Sequence, residues 1–113
     1  MMRENVLRNA IIGEVLAKPE LVGLLPSDVV ESRAFEVLDN GDTIDVVFVD
    51  TDMKYYLICV DTSFSEKRAK QMEAKLYSNA LLYFGENIDD VEFEMYGVFL
   101  DKKTKEYVVI RFE

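Results

Sequence analysis

The stretch "GDTIDVVFVDTDMKYYLICVDTSF", residues 41–64, decides how this chain is read. It holds two apolar runs, "TIDVVFV" and "KYYLICVDT". Both are rich in Val, Ile and Tyr, which fit a pleated, half-buried surface better than a helix. The polar tip Asp50-Thr51-Asp52-Met53 joins them as paired strands. A single carboxylate, Asp45, interrupts the first run, and the second run ends in Cys59-Val60-Asp61. Residues two apart on a strand face the same side, so Cys59 and Asp61 look the same way.

Upstream, "RAFEVL" reads as a further strand, turned into "TIDVVFV" through "DNGD", where Asn40-Gly41 can supply the positive φ angles of a tight hairpin. Residues 3–18, "RENVLRNAIIGEVLAK", repeat apolar side chains at helical spacing through Leu7, Ile11 and Val15, with Val6 and Ala10 beside them. The helix is expected to end before Pro19, because the residue preceding a proline disfavours the α region. "PELVGLLPSDVV" then reads as an irregular connection or a short helical turn.

Downstream, "SFSEKRAKQMEAKLYSNALLYF" is a second long helix. Ser63 and Glu66 have capping-box spacing, and Gly85 is placed to stop the helix. Ala69, Met72, Leu76, Ala80 and Tyr83 share one face of it, while Lys67, Gln71, Lys75 and Ser78 share another. "VEFEMYGVFL" and "EYVVIRF" form a closing hairpin over "DKKTK". The predicted order is α-β-β-β-α-β-β: a single domain over 1–113 of the α/β (α+β) class, with a central mixed sheet flanked by two helices.

Composition narrows the chemistry. A chain of 113 residues, half of them hydrophobic, can bury one core. With no histidine, imidazole acid–base chemistry and His-based triads are excluded, and one cysteine, Cys59, makes no internal disulfide. The apolar runs are too short to cross a bilayer, and "MMRENVLRN" carries no apolar signal core, so a cytoplasmic protein without membrane contact is expected. The net charge of −9 opposes broad attraction to DNA phosphates. Basic residues nevertheless gather at Lys67, Arg68, Lys70 and Lys75, the candidate nucleic-acid-binding face, whereas acidic ones crowd "GENIDDVEFE". The simpler reading of the basic group is a solvated helix face.

The helix, the Gly41-Asp42-Thr43-Ile44-Asp45 hairpin strand, the triplet Cys59-Val60-Asp61 and the following helix, in that order, resemble the core of the restriction-endonuclease-like PD-(D/E)xK superfamily, of the RecB-like and archaeal single-strand-specific endonuclease type. In that family strand acids hold Mg²⁺ and a lysine orients or activates the attacking water, since the metal can both generate hydroxide and neutralise phosphate charge. The resemblance implies Asp45 as the first acid, Cys59 in the place of the second acid and Asp61 in the place of the lysine. It implies Glu14 as the helical acid of some members. Glu14 falls inside the apolar arc of the first helix, where a carboxylate is costly without a partner. Gln71 stands near the family's Gln, but the residue four further on is Lys75 rather than Tyr.

Three functional readings stay open. The favoured one is a catalytically lapsed nuclease fold kept for binding or assembly, with Asp45 and Asp61 as a remnant site and no cofactor. Exchange of Glu for Cys removes a hard oxygen ligand that Mg²⁺ prefers, and exchange of Lys for Asp reverses the charge beside the phosphate. The second is a divergent Mg²⁺-dependent DNA endonuclease using Glu14, Asp45 and Asp61 as metal ligands. The third is a small acidic immunity- or inhibitor-type module that binds a basic protein. Cys59 is also readable as a small buried hydrophobe, Asp45 as a polar residue on a half-exposed strand and Asp61 as a helix cap. The partner, protein or nucleic acid, is left open. Self-association as a homodimer is expected, with the apolar C-terminal strand as an available sheet edge.

Overall fold

The computed structural model describes the backbone of residues 2–113 and the side chains of residues 5–113. Helix α1, Met2–Ala17, leads through two 3₁₀ turns, Pro19–Val22 and Pro26–Asp28, into β1, Val29–Val37. Then come β2, Thr43–Asp50; β3, Tyr55–Asp61; α2, Glu66–Phe84; a 3₁₀ turn, Gly85–Asp90; β4, Phe93–Asp101; and β5, Glu106–Phe112. The chain is α+β, as its sequence predicts, with one five-stranded mixed sheet in the order β1-β2-β3-β4-β5.

All neighbouring strands are antiparallel except β3 and β4, which run parallel from Tyr55–Phe93 to Asp61–Phe99. Parallel neighbours need a crossover, and α2 supplies it. Strand alternation sorts the apolar residues into two cores on opposite faces of the sheet. Val46, Phe48, Tyr56, Ile58, Val60 and Val98 meet Ile11, Ile12 and Val15 of α1. Val47, Leu57, Met95, Phe99 and Phe112 meet Leu76, Ala80 and Phe84 of α2. Each fully buried aliphatic or aromatic side chain here contributes about 1.5–3 kcal/mol of transfer free energy.

Several local expectations need correction. The cap of α2 is Ser65, whose hydroxyl accepts the backbone N–H of Arg68, so the Ser63–Glu66 box is not formed. The backbone of Ser63 is instead turned by the Asp61 carboxylate. In the β1–β2 turn only Gly41 has a positive φ, 85°. Asn40 stays in an ordinary conformation and its side-chain oxygen accepts the N–H of Asp42. In α1 the buried arc is Ile11, Ile12 and Val15, and Val6 is exposed. Glu14 sits outside that arc, half exposed and paired with Lys18 at 3.1 Å.

Two features the patterning does not reveal shape the sheet. Phe35, in the middle of β1, has φ 57°, a rare angle for a bulky side chain that costs about 1–3 kcal/mol. Register places it opposite Asp45, between the Ala34–Val46 and Glu36–Ile44 pairs. Gly97, the β4 neighbour of Cys59, lets α2 approach closely: a Cβ there would lie 2.7 Å from Phe99, 2.8 Å from Met72 and 2.8 Å from Phe112.

The buried Asp50 locks the β2–β3 turn, accepting the N–H groups of Asp52 and Lys54 and the Tyr56 hydroxyl. Burial works to raise its pKa, but these hydrogen bonds, led by Lys54 N–H, outweigh it and hold the carboxyl below its ordinary value. A depressed carboxylate contributes stability that is present above the unfolded pKa and lost as pH falls through the folded one. Urea denaturation should therefore show Asp50→Ala costing about 1–3 kcal/mol near neutral pH, with the difference from wild type shrinking in acid. Gly97→Ala should cost about 1–3 kcal/mol at every pH, because its cause is overpacking; a Gly97→Ala protein as stable as wild type would show that the three neighbouring side chains move aside freely.

Candidate functional site

The β2–β3 ladder ends at the Val46–Ile58 pair. One residue beyond, the Asp45 side chain takes the place of a backbone carbonyl: its Oδ2 accepts the Val60 N–H at 2.8 Å. The strands fork there, and the fork opens a cleft of about 360 Å³ at the C-terminal end of β3. In sheets with helices on both faces, such strand ends are where ligands are met. Arg8 of α1 and Gln71, Met72, Lys75 and Asn79 of α2 wall the cleft, and Asp42 of the β1–β2 turn stands at its rim.

Three ion pairs organise the cleft. The Arg8 guanidinium bonds Asp45, which is fully buried, while Arg8 itself remains partly exposed. Arg68 donates to Asp61 at 2.6 Å, and Lys75 lies 3.5 Å from Asp42. Each carboxylate thus has its own cation. Burial pushes the Asp45 carboxyl above its ordinary pKa, against the opposing pull of the Val60 N–H and Arg8. Cys59 sits between the fork and α2, and its thiol is pushed up to about 12, first by burial and then by the neighbouring Asp45. A thiol raised that far stays protonated at neutral pH and is a poor nucleophile.

The structure brings Asp45, Cys59, Asp61, Arg68 and Lys75 to one cleft. It does not bring Glu14 there, since that carboxylate is engaged with Lys18 outside the cleft. Lys67 and Lys70 are exposed and take no part in the cleft, so the basic cluster divides between two faces of α2. Among the described residues no three His, Cys, Asp or Glu side chains gather in a way that could hold a metal ion. The donor set also fits Mg²⁺ poorly: both Asp45 oxygens already accept protein donors, Cys59 offers a soft protonated sulfur, and Asp61 is paired with Arg68.

Sequence reasoning missed Arg8, Asp42 and Asn79. Arg8 is three and four residues before Ile11 and Ile12, hence on the face of α1 turned to the sheet; that spacing was the available signal. Asn79, almost wholly buried among the apolar positions of α2, accepts from the Asn40 side chain at 3.4 Å. A buried amide within a helix's apolar face was the sign to follow.

Comparison with protein-family models, with curated proteins and with solved structures finds no match for this chain. The site is therefore read from its own geometry.

A raised carboxyl binds its proton more tightly in the folded chain than in the unfolded one. The Asp45 contribution is therefore greatest below the ordinary carboxylate pKa and declines as pH rises through the raised value. Asp45→Asn, which keeps an acceptor for Val60 N–H, should stay within about 1 kcal/mol of wild type near neutral pH and flatten that decline. Asp45→Ala leaves the N–H unpaired and should cost about 1–3 kcal/mol. Denaturant titrations at about pH 5 and about pH 8 separate the two, and equal losses for both variants would mean that the charge, rather than the hydrogen bond, holds the fork. For Cys59, mass spectrometry after iodoacetamide treatment near neutral pH should find the native thiol unlabelled and the urea-unfolded thiol labelled.

Proposed function

We propose that this chain is a catalytically lapsed nuclease fold of the PD-(D/E)xK type, kept as a binding module whose contact site is the cleft at the β2–β3 fork. One observation carries the reading: fixed protein cations, Arg8 on Asp45 and Arg68 on Asp61, stand where the chemistry of that family calls for a divalent metal and a free lysine. Metal-assisted phosphodiester hydrolysis needs hard oxygen ligands open to the ion and a water beside it. A guanidinium neutralises a carboxylate, but it cannot lower the pKa of a bound water as a metal does. The element order and the forked strands support the family part of the reading; the charge balance supports the lapse.

The cleft keeps polar groups to offer a ligand. Arg8 and Arg68 each use only part of a five-donor guanidinium in their ion pairs, and Gln71 lines the cleft wall. A site with several donors and paired charges suits recognition of a polar group presented by a partner. It does not suit proton abstraction, because both oxygens of Asp45, the buried acid of the cleft, already accept protein donors.

The test combines calorimetry with Mg²⁺ and Mn²⁺ and a cleavage assay on branched, single-stranded and duplex DNA. The wild-type protein should bind neither metal and cut none of the three. Arg8→Ala with Cys59→Glu and Asp61→Lys, which frees the first acid and restores the other two residue types, should regain metal binding. Wild-type cleavage that Asp45→Ala abolishes would establish the divergent endonuclease instead. Failure of the triple variant to bind metal while it remains folded would remove the nuclease ancestry and leave an acidic module for a basic protein, consistent with the net charge of −9.

A further inference from the structure

A pleated strand turns successive side chains to opposite faces, so residues two apart share a face and residues three apart do not. Strands β1 and β2 break that rule at the same level of the sheet. In β2, Ile44 and Val47 both pack into the core under α2, while Val46 belongs to the core under α1. In β1, Arg33 and Glu36 both bond the Tyr83 hydroxyl of α2, while Ala34 packs against the α1 core. The register stays one-to-one through the change, with Ala34 opposite Val46 and Glu36 opposite Ile44. One residue of each strand lies between those pairs: Phe35 in β1 and Asp45 in β2.

We propose that Phe35 is the positioning residue of the cleft: its left-handed backbone turns β1 and β2 over together and so aims Asp45 at the Val60 N–H and at Arg8. Phe35 has φ 57°, and no other residue of β1 or β2 has a positive φ. A left-handed residue within an extended strand re-aims the side chains that follow it. Glu36 and Leu38 accordingly face α2, where a regular pleat continued from Ala34 would send them to α1. Strand β2 is paired with β1 on both sides of this level and follows it. The ring of Phe35 is 48% exposed, belongs to neither core and does not line the cleft. Its backbone angle, rather than its side chain, does the aiming.

Without the turnover, the pleat continued from Val47 would set the Asp45 carboxylate toward the apolar core of Leu76 and Ala80 and carry Ile44 to the α1 side. With it, Ile44 fills the α2 core, and the carboxylate reaches Val60 N–H at 2.8 Å and the Arg8 guanidinium. The inference rests on the cleft being the contact site, because only then does the fork matter beyond stability. The metal and cleavage assays decide that premise, whereas substitutions at position 35 decide how the fork is set, and either can fail alone.

Phe35→Gly, Phe35→Ala and Phe35→Val all remove the ring, so differences among them report the backbone. A left-handed position ranks Gly above Ala and Ala above Val; an ordinary strand position ranks them in the opposite order. In urea denaturation the folded-to-unfolded ratio of Phe35→Gly should exceed that of Phe35→Ala by about 5- to 30-fold, with Phe35→Val lowest. Amide hydrogen exchange followed by NMR supplies a local readout. Relative to the Leu57 N–H in the intact β2–β3 ladder, the Val60 N–H should lose protection at least about tenfold in Phe35→Val and keep it in Phe35→Gly. In an Asp45→Ala background Phe35→Val should leave Val60 exchange unchanged, because Phe35 acts through that carboxylate. If Phe35→Val does not fold, Phe35→Gly and Phe35→Ala decide by the same two measurements. Phe35→Ala more stable than Phe35→Gly, or Val60 protection indifferent to the residue at position 35, would overturn the proposal.

Discussion

One carboxylate fixes the forked end of the sheet. Where the β2–β3 ladder stops, the Asp45 side chain accepts the Val60 N–H and carries Arg8 on its other oxygen. A strand pair that simply frayed would leave a backbone donor without a partner at the centre of the sheet, at a cost of about 1–3 kcal/mol. The carboxylate removes that cost and holds the strands apart. It also ties α1 to a sheet whose opposite face is packed by α2. The cleft is the space that this arrangement leaves.

Asp45 is poorly suited to the task on stability grounds alone. It is fully buried, and burial pushes its carboxyl above the ordinary pKa. An asparagine would accept the same hydrogen bond without carrying a charge. The strained Phe35 stands opposite it on β1, so two unfavourable features meet at one level of the sheet. Local costs of this kind collect where a structure serves something besides its own stability. By contrast Asp50, the other buried aspartate on β2, is satisfied by two backbone N–H groups and a hydroxyl and is plainly structural.

The charges of the cleft are paired among themselves. Catalytic sites keep groups poised between protonation states or expose unpaired carboxylates to a metal. Here each acid has a basic partner and the sole thiol is held protonated. What is left over is the guanidinium donors of Arg8 and Arg68 that the ion pairs do not use.

The sequence by itself determined the elements and their order. Strands alternate with period two, helices with period near 3.6, and glycines and prolines mark the ends, all of them local properties of the chain. It also determined that Cys59 and Asp61 look the same way, because that follows from the pleat alone. Only the tertiary structure decided what those residues meet. Asp45 could have faced solvent, and Glu14 could have joined it; packing instead turned Arg8 inward and left Glu14 to Lys18. The wheel of α1 placed Glu14 within its apolar arc, but an arc is some 100° wide and its edge depends on the angle at which the helix lies on the sheet. The pairing of cations with acids joins residues as far apart as Arg8 and Asp45, or Asp42 and Lys75. No local period carries such information, since it arises when two helices and a forked strand pair are brought together.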